Sequence, residues 1–234
     1  MKIEKIEYKY KYKFPKLFKQ LWNDGMLDWM NGNNGEFTFG KNWENTIYPE
    51  IKENPPLLLH SGGFDFELLR PVEILNFKFD ELWDVDKHVF IPFAKTEEGN
   101  IYAFYQNIQY DNEHVIVHVW NDMNETEIIA KNFEDFIFRK MLEASFDVDK
   151  EDLKGDYKDN GFIGYKEDLL NDLKSIKPYL NVTYGEILSN IYNTEKIIES
   201  IFSYGLIEQK ELLFFVEEYL FFKELDTIFE HEIA

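Results

Sequence analysis

At 234 residues, with 44% apolar and 18% aromatic side chains, the chain carries too much apolar surface for a disordered protein and enough to bury a core. It contains no cysteine, which removes disulfides, thiolate zinc sites and cysteine nucleophiles together. A formal charge of −20 repels nucleic acid and anionic bilayers and favours a basic protein partner.

That charge is uneven, because the first twenty residues hold seven lysines and two glutamates, +5, which leaves −25 on the remainder. Met1-Lys2-Ile3-Glu4-Lys5 forms no apolar signal core, and no run of about 18 apolar residues follows, so a cytoplasmic location without membrane is expected. Tyr8, Tyr10, Tyr12 and Phe14 alternate with Lys9, Lys11 and Lys13, a period of two that predicts an edge strand with a lysine face. Pro15 then opens a helix carrying Leu17, Phe18, Leu21 and Trp22, with Gly25 as its stop. Residues 31–56 are rich in Gly, Asn and Pro and read as loop, with one short strand near Phe37 to Phe39. A second helix is predicted from Pro71 towards Leu82 and Trp83.

The clearest signal follows. His88 to Ala94, a turn at Glu98-Gly99-Asn100, and Ile101 to Tyr105 predict a β-hairpin. Val115 to Trp120 adds a strand after the polar break at Asp111-Asn112-Glu113, and Ile128-Ile129 a shorter one. Connections this short imply antiparallel pairing. Asn132 is placed to cap a helix with the apolar stripe Phe133, Phe136, Ile137 and Met141.

Residues 147–168 are charged and glycine-containing, the best boundary in the chain, and divide it into an α+β domain over 1–146 and an all-helical extension over 147–234 packed on it. In that extension Leu169, Leu173 and Ile176 lead to Pro178, and Thr183 with Glu186 reads as a capping box. Ile197, Ile198 and Ile201 are assigned to a further helix, and Leu212, Phe215, Val216, Tyr219 and Phe222 to a last one that docks by a broad apolar face.

Taken in order, residues 14 to 138 resemble the SUKH superfamily, which contains fungal cell-wall assembly regulators of the Smi/Knr type and bacterial toxin-immunity proteins. Phe14-Pro15-Lys16-Leu17-Phe18-Lys19 is similar to its first helix, and Asn31-Gly32 and Asn34-Gly35 to its Asn-Gly turn. Phe90-Ile91-Pro92-Phe93-Ala94 with Gly99-Asn100-Ile101-Tyr102-Ala103-Phe104 resembles its central hairpin, and Asn132 to Ile137 its closing helix. Here Gly99-Asn100 replaces the Gly-Asp often found in the family. The resemblance implies an α+β fold with a central, largely antiparallel sheet flanked by helices. It also implies a non-catalytic task in binding a protein, often a basic toxin domain, or in regulating cell-wall or glucan synthesis.

The acidic turns bracketing the sheet are the candidate partner surface: Trp83, Asp84 and Asp86 before the hairpin, Glu97 and Glu98 at its turn, Asp111 and Glu113 at the next. Trp83, Tyr105 and Trp120 are the candidate anchors, since Trp and Tyr dominate interface energetics, with burial in the core as the competing role. His114 and His118 have metal-pair spacing only on a helix; on a strand they stand about 13 Å apart. Asp156 to Glu167 matches a calcium loop at Asp156, Asn160, Gly161, Ile163 and Glu167, but Lys158 and Gly164 stand where coordinating positions fall. A polar linker is the competing reading, and neither a metal nor a cofactor is expected. No nucleophile elbow or phosphate loop occurs. The expected protein is therefore not an enzyme, and works as a monomer or weak dimer.

Overall fold

Ile3, Ile6 and Glu7 recur at helical spacing and are buried along one side of α1 (Ile3–Tyr10), while Tyr8 stands 88% exposed. The edge strand expected over Tyr8 to Phe14 is thus corrected. The Tyr/Lys alternation is short enough to be read at either period, and burying Ile3 with Ile6 selects 3.6 residues per turn. Only beyond Lys11, at φ 50°, does the chain extend, and there Tyr12 and Phe14 enter the core. α2 (Lys16–Asn23) begins directly after Pro15, as expected.

The computed structural model describes residues 3–23, 67–69, 71–79, 88–96, 98–121, 125–157, 160–220 and 228–230. The stop at Gly25, the Asn-Gly turns, the loop over 31–56 and the strand near Phe37 fall outside them. α3 (Pro71–Asn76) opens at its proline but ends at Asn76, short of the expected Leu82.

The chain divides into two units, one of Met1–Phe39, Phe66–Phe136 and Phe222–Ala234, the other of Gly40–Asp65 and Ile137–Phe221. The first is built on an antiparallel sheet of β1 (Glu67–Leu68), β2 (Phe90–Lys95), β3 (Ile101–Tyr110), β4 (Glu113–Val119) and β5 (Glu125–Ala130), joined in chain order. A C-terminal strand, Ile228–Glu230, pairs with β5 at the outer edge. The expected hairpin is present, with Phe90 opposite Tyr105 and Lys95 opposite Ile101. Its register shifts between Pro92 and Ala94, where a bulge accommodates a proline that has no N–H to donate.

Both faces of this sheet are apolar. Phe90, Ile101, Ala103, Tyr105, Val115 and Val117 line one, with Phe77 and Phe79 packed against it. On the other, Phe104 meets Tyr12, Phe14, Phe18, Phe93 and Phe133 at ring-centroid distances of 5.0 to 5.8 Å. Burial on both sides explains why the central strands read as nearly continuous apolar runs. The helix α4 (Phe133–Glu143) starts as expected, with Asn132 Oδ1 accepting from the Asp135 N–H at 2.8 Å.

The second unit holds β6 (Val148–Asp149), α5 (Lys150–Asp156), α6 (Gly161–Ile176), a 3₁₀ turn over Lys177–Tyr179 and α7 (Val182–Tyr192). Tyr165 and Tyr192 are fully buried at its centre and donate to the carbonyls of Ala144 and Met141. α7 is capped by Asn181, whose side chain accepts from the Tyr184 N–H at 2.9 Å, rather than by the expected Thr183. Asn181 is the last residue with extended φ and ψ, so the helix starts before Thr183.

The extension is not all-helical. β7 (Ile198–Glu199) and β8 (Ser203–Gly205) pair, and β6 joins β8 to make a three-stranded sheet where a helix was expected over Ile197 to Ile201. Ser200 Oγ accepts from the N–H groups of Phe202 and Ser203, closing a turn that a helix cannot contain. α8 (Gln209–Phe215) and a π turn over Val216–Leu220 follow, with the expected stripe Leu212, Phe215, Val216 and Tyr219 half-buried. The α+β class of the whole stands.

Candidate partner-binding surface

An antiparallel meander places successive turns at opposite ends of its sheet, and this separates the candidate residues. Glu98 lies in the β2–β3 turn and Asp111 in the β3–β4 turn, with the ten residues of β3 between them, about 33 Å of extended chain. They form two patches.

At the first end, Thr96 N–H donates to the Asn100 carbonyl at 2.9 Å and Gly99 N–H to the Thr96 carbonyl at 3.1 Å, closing the turn on a glycine at φ 90°. Asn100 is buried, and its Oδ1 accepts from the Asn121 N–H at 3.0 Å, while Asn121 Nδ2 donates to the Glu98 carbonyl. The amide oxygen of Asn100 thus ties the β2–β3 turn to the chain leaving β4, so this position locks two connections together without a carboxylate. Glu98 is exposed on that lock. Trp120, next in sequence to Asn121, is half-buried, its ring 4.5 Å from that of His118, which stacks on Tyr102 at 4.9 Å. A half-buried Trp at the end of a sheet whose turn carries an exposed Glu98 is the kind of residue that anchors interfaces.

At the second end, Asp111 and Asn112 both take positive φ, 49° and 69°, in a two-residue turn, and both are exposed. Glu113 follows half-buried; burial and the nearby carboxylate of Glu134 raise its pKa above the ordinary range. The His114 ring meets Tyr12 at 5.0 Å edge-on, and burial lowers its pKa. Burial raises the Tyr12 pKa strongly, with Glu113 and Glu7 adding to it. At this end Asp111 is exposed, whereas Glu113 is partly withdrawn from water.

Tyr105 belongs to neither patch. It is 5% exposed within the sheet core, its ring 5.1 Å from Phe90 and its hydroxyl 2.7 Å from His88 Nδ1. Of the candidate residues, Trp83, Asp84, Asp86 and Glu97 lie outside the described residues.

His114 and His118 lie on strand β4, and among the described residues no group of three or more His, Asp or Glu is gathered for a metal. Of the calcium-loop match, Asp156 ends α5 and Gly161 to Glu167 lie in helix α6, while positions 158 and 159 fall outside the described residues.

Sequence reasoning missed Glu7. It is 4% exposed, and its carboxylate receives Lys13 Nζ and Lys19 Nζ, each at 2.7 Å, and the Phe14 N–H at 3.1 Å. A groove of about 650 Å³ runs past it, lined by Tyr8, Lys11, Tyr12 and Lys13. The signal was the excess of seven lysines over two glutamates in the first twenty residues, hidden by assigning a strand from Tyr8 where helix α1 runs. No described helix is long and apolar enough to cross a membrane.

An antiparallel meander with apolar faces and acidic residues at its turns, closed by helices, defines an α+β module. Residues 2–139 match the SMI1 / KNR4 family (SUKH-1), and the chain belongs to that family. No curated protein and no solved structure matches it.

Proposed function

We propose that this chain is a non-catalytic protein-binding module that acts as an immunity protein, neutralising a cognate bacterial toxin domain by covering its active surface. The observation that carries the reading is the family match over residues 2–139, joined to a charge of −20 whose acidic side chains include both turn ends of the sheet. Acidic ends steer a basic partner and speed encounter, while a half-buried aromatic such as Trp120 slows release. Glu98, Asp111 and Glu113 are the proposed steering residues, together with Trp83, Asp84, Asp86 and Glu97. Tyr105 supports the sheet instead. The proposed location is cytoplasmic and the proposed state a monomer or weak dimer.

The experiment is to read the coding region next to this chain's gene for a toxin domain and to co-express any such domain with this chain; absence of one counts against the immunity reading. Growth should be rescued, and binding at low salt should weaken steeply as salt rises. No rescue and no binding at low salt overturns the immunity reading. Binding to a cell-wall synthesis or signalling protein in its place establishes the alternative, a regulatory scaffold similar to the fungal members.

A further inference from the structure

Turn residues are usually small or polar, because a turn faces water and needs local hydrogen bonds. The turn between β7 and β8 breaks that expectation. Ile201 and Phe202 sit at its tip, 83% and 75% exposed, although the turn's hydrogen bonds are met by Lys150 and Ser200. Its Oγ accepts from the Phe202 N–H at 3.2 Å and the Ser203 N–H at 2.9 Å, and the Ser200 N–H donates to the Ser203 carbonyl at 2.9 Å. From the first position of α5, Lys150 N–H donates to the Phe202 carbonyl and Lys150 Nζ to the Ser200 carbonyl, both at 2.8 Å. Two large apolar side chains are thus held in water by a backbone fixed from both sides. Folding gains nothing from their exposure, whereas a preformed apolar projection binds with little ordering cost.

The surroundings select the occupant. Asp149 pairs with Ser203 across the sheet, Glu151 and Asp152 begin the helix after it, and Glu199 precedes the turn; all are exposed. Lys150 is engaged by Glu199 at 2.6 Å and Lys154 by Glu151 at 2.5 Å, which leaves the rim acidic. A second copy would bring like charge to like charge, and an anionic membrane would be repelled. We infer that the Ile201–Phe202 turn is a second docking element, inserting into an apolar socket with a basic rim on the toxin domain. It lies beyond the family-matched residues 2–139, and it rests on the protein-partner reading above.

The test takes the toxin domain that the immunity reading requires in the neighbouring coding region and measures its binding to the full-length wild type, to the double variant Ile201→Ser/Phe202→Ser, and to Ile163→Ser. Absence of any such domain overturns that reading and this inference with it. Ile163 is an exposed apolar residue on α6, 62% exposed, and serves as the control. The double variant should weaken binding about 30-fold or more, the scale of a lost hot spot, with an unchanged melting curve. Ile163→Ser should bind as wild type does, and Phe202→Leu should restore most of the affinity in the Ile201 background. Tight binding by wild type and double variant alike overturns the docking turn and leaves the immunity reading standing. Failure of the wild type to bind overturns that reading and removes this partner with it. Sedimentation of wild type as a dimer that the double variant abolishes, or its binding to phosphatidylglycerol vesicles through the turn, replaces the toxin socket and overturns the inference.

Discussion

Replacing Glu7 by Ala removes the acceptor around which the N-terminal segment is organised. The Phe14 N–H, in a residue 3% exposed, loses its partner, and an unsatisfied buried donor costs about 1–3 kcal/mol. The ion pairs add less, because Lys13 is 80% and Lys19 35% exposed, and such pairs are each worth about 0–1 kcal/mol. A loss of about 2–3 kcal/mol follows, a fall in melting temperature of roughly 5–10 °C. Glu7→Gln keeps an acceptor for Phe14 and loses only the charge, so it should fall by about half as much. The pH dependence has a definite sign. Burial works to raise the Glu7 pKa, but the bonds from Lys13, Lys19 and the Phe14 N–H outweigh it and the net shift is downwards from 4.5. A carboxylate with a depressed folded pKa stabilises above its unfolded value, and that contribution disappears as pH falls through the folded one. The gap between wild type and Glu7→Gln, followed by circular dichroism melts, should therefore be full at pH 7 and close below pH 4.5. Melting of Glu7→Ala within about 1 °C of wild type at pH 7 would refute the reasoning.

Glu113→Gln should act in the opposite sense: its pKa is raised, so its ionisation opposes folding as pH climbs, and the variant should melt higher than wild type at pH 7 but not at pH 4. Gly99→Ala puts a Cβ 2.8 Å from Asn121 Nδ2 on a backbone at φ 90°, and should cost about 1–2 kcal/mol in denaturant melts. Asn181→Ala should cost about 1 kcal/mol as the loss of the α7 cap, whereas Thr183→Ala at an exposed position should cost under about 0.5 kcal/mol. Equal losses at the two positions would return the cap to Thr183.

Much of the first unit was legible because its signals are local. A proline before Lys16, a Gly-Asn turn between two apolar runs and an Asn ahead of Phe133 each act through their own neighbours, and the structure uses all three. The candidate surface was less legible. Glu98 and Asp111 are thirteen positions apart in sequence, yet only the path of β3 shows that they occupy opposite ends of a sheet. Tyr105 reads as an anchor by residue type; the second apolar face, supplied by Phe77 and Phe79, takes it into the core.

By itself the sequence determined the class of the protein, the central hairpin, the Asn132 cap of the helix that closes the sheet, and a strongly acidic charge of −20. The tertiary structure decided the rest: whether the N-terminal tyrosines run at period two or 3.6, whether Ile198 joins a helix or a strand, and that Ile201 and Phe202 are left in water. The reason is one of range. Turn chemistry and capping are settled within four residues, whereas the choice between two periods in a short amphipathic segment depends on which face finds a distant surface to cover it.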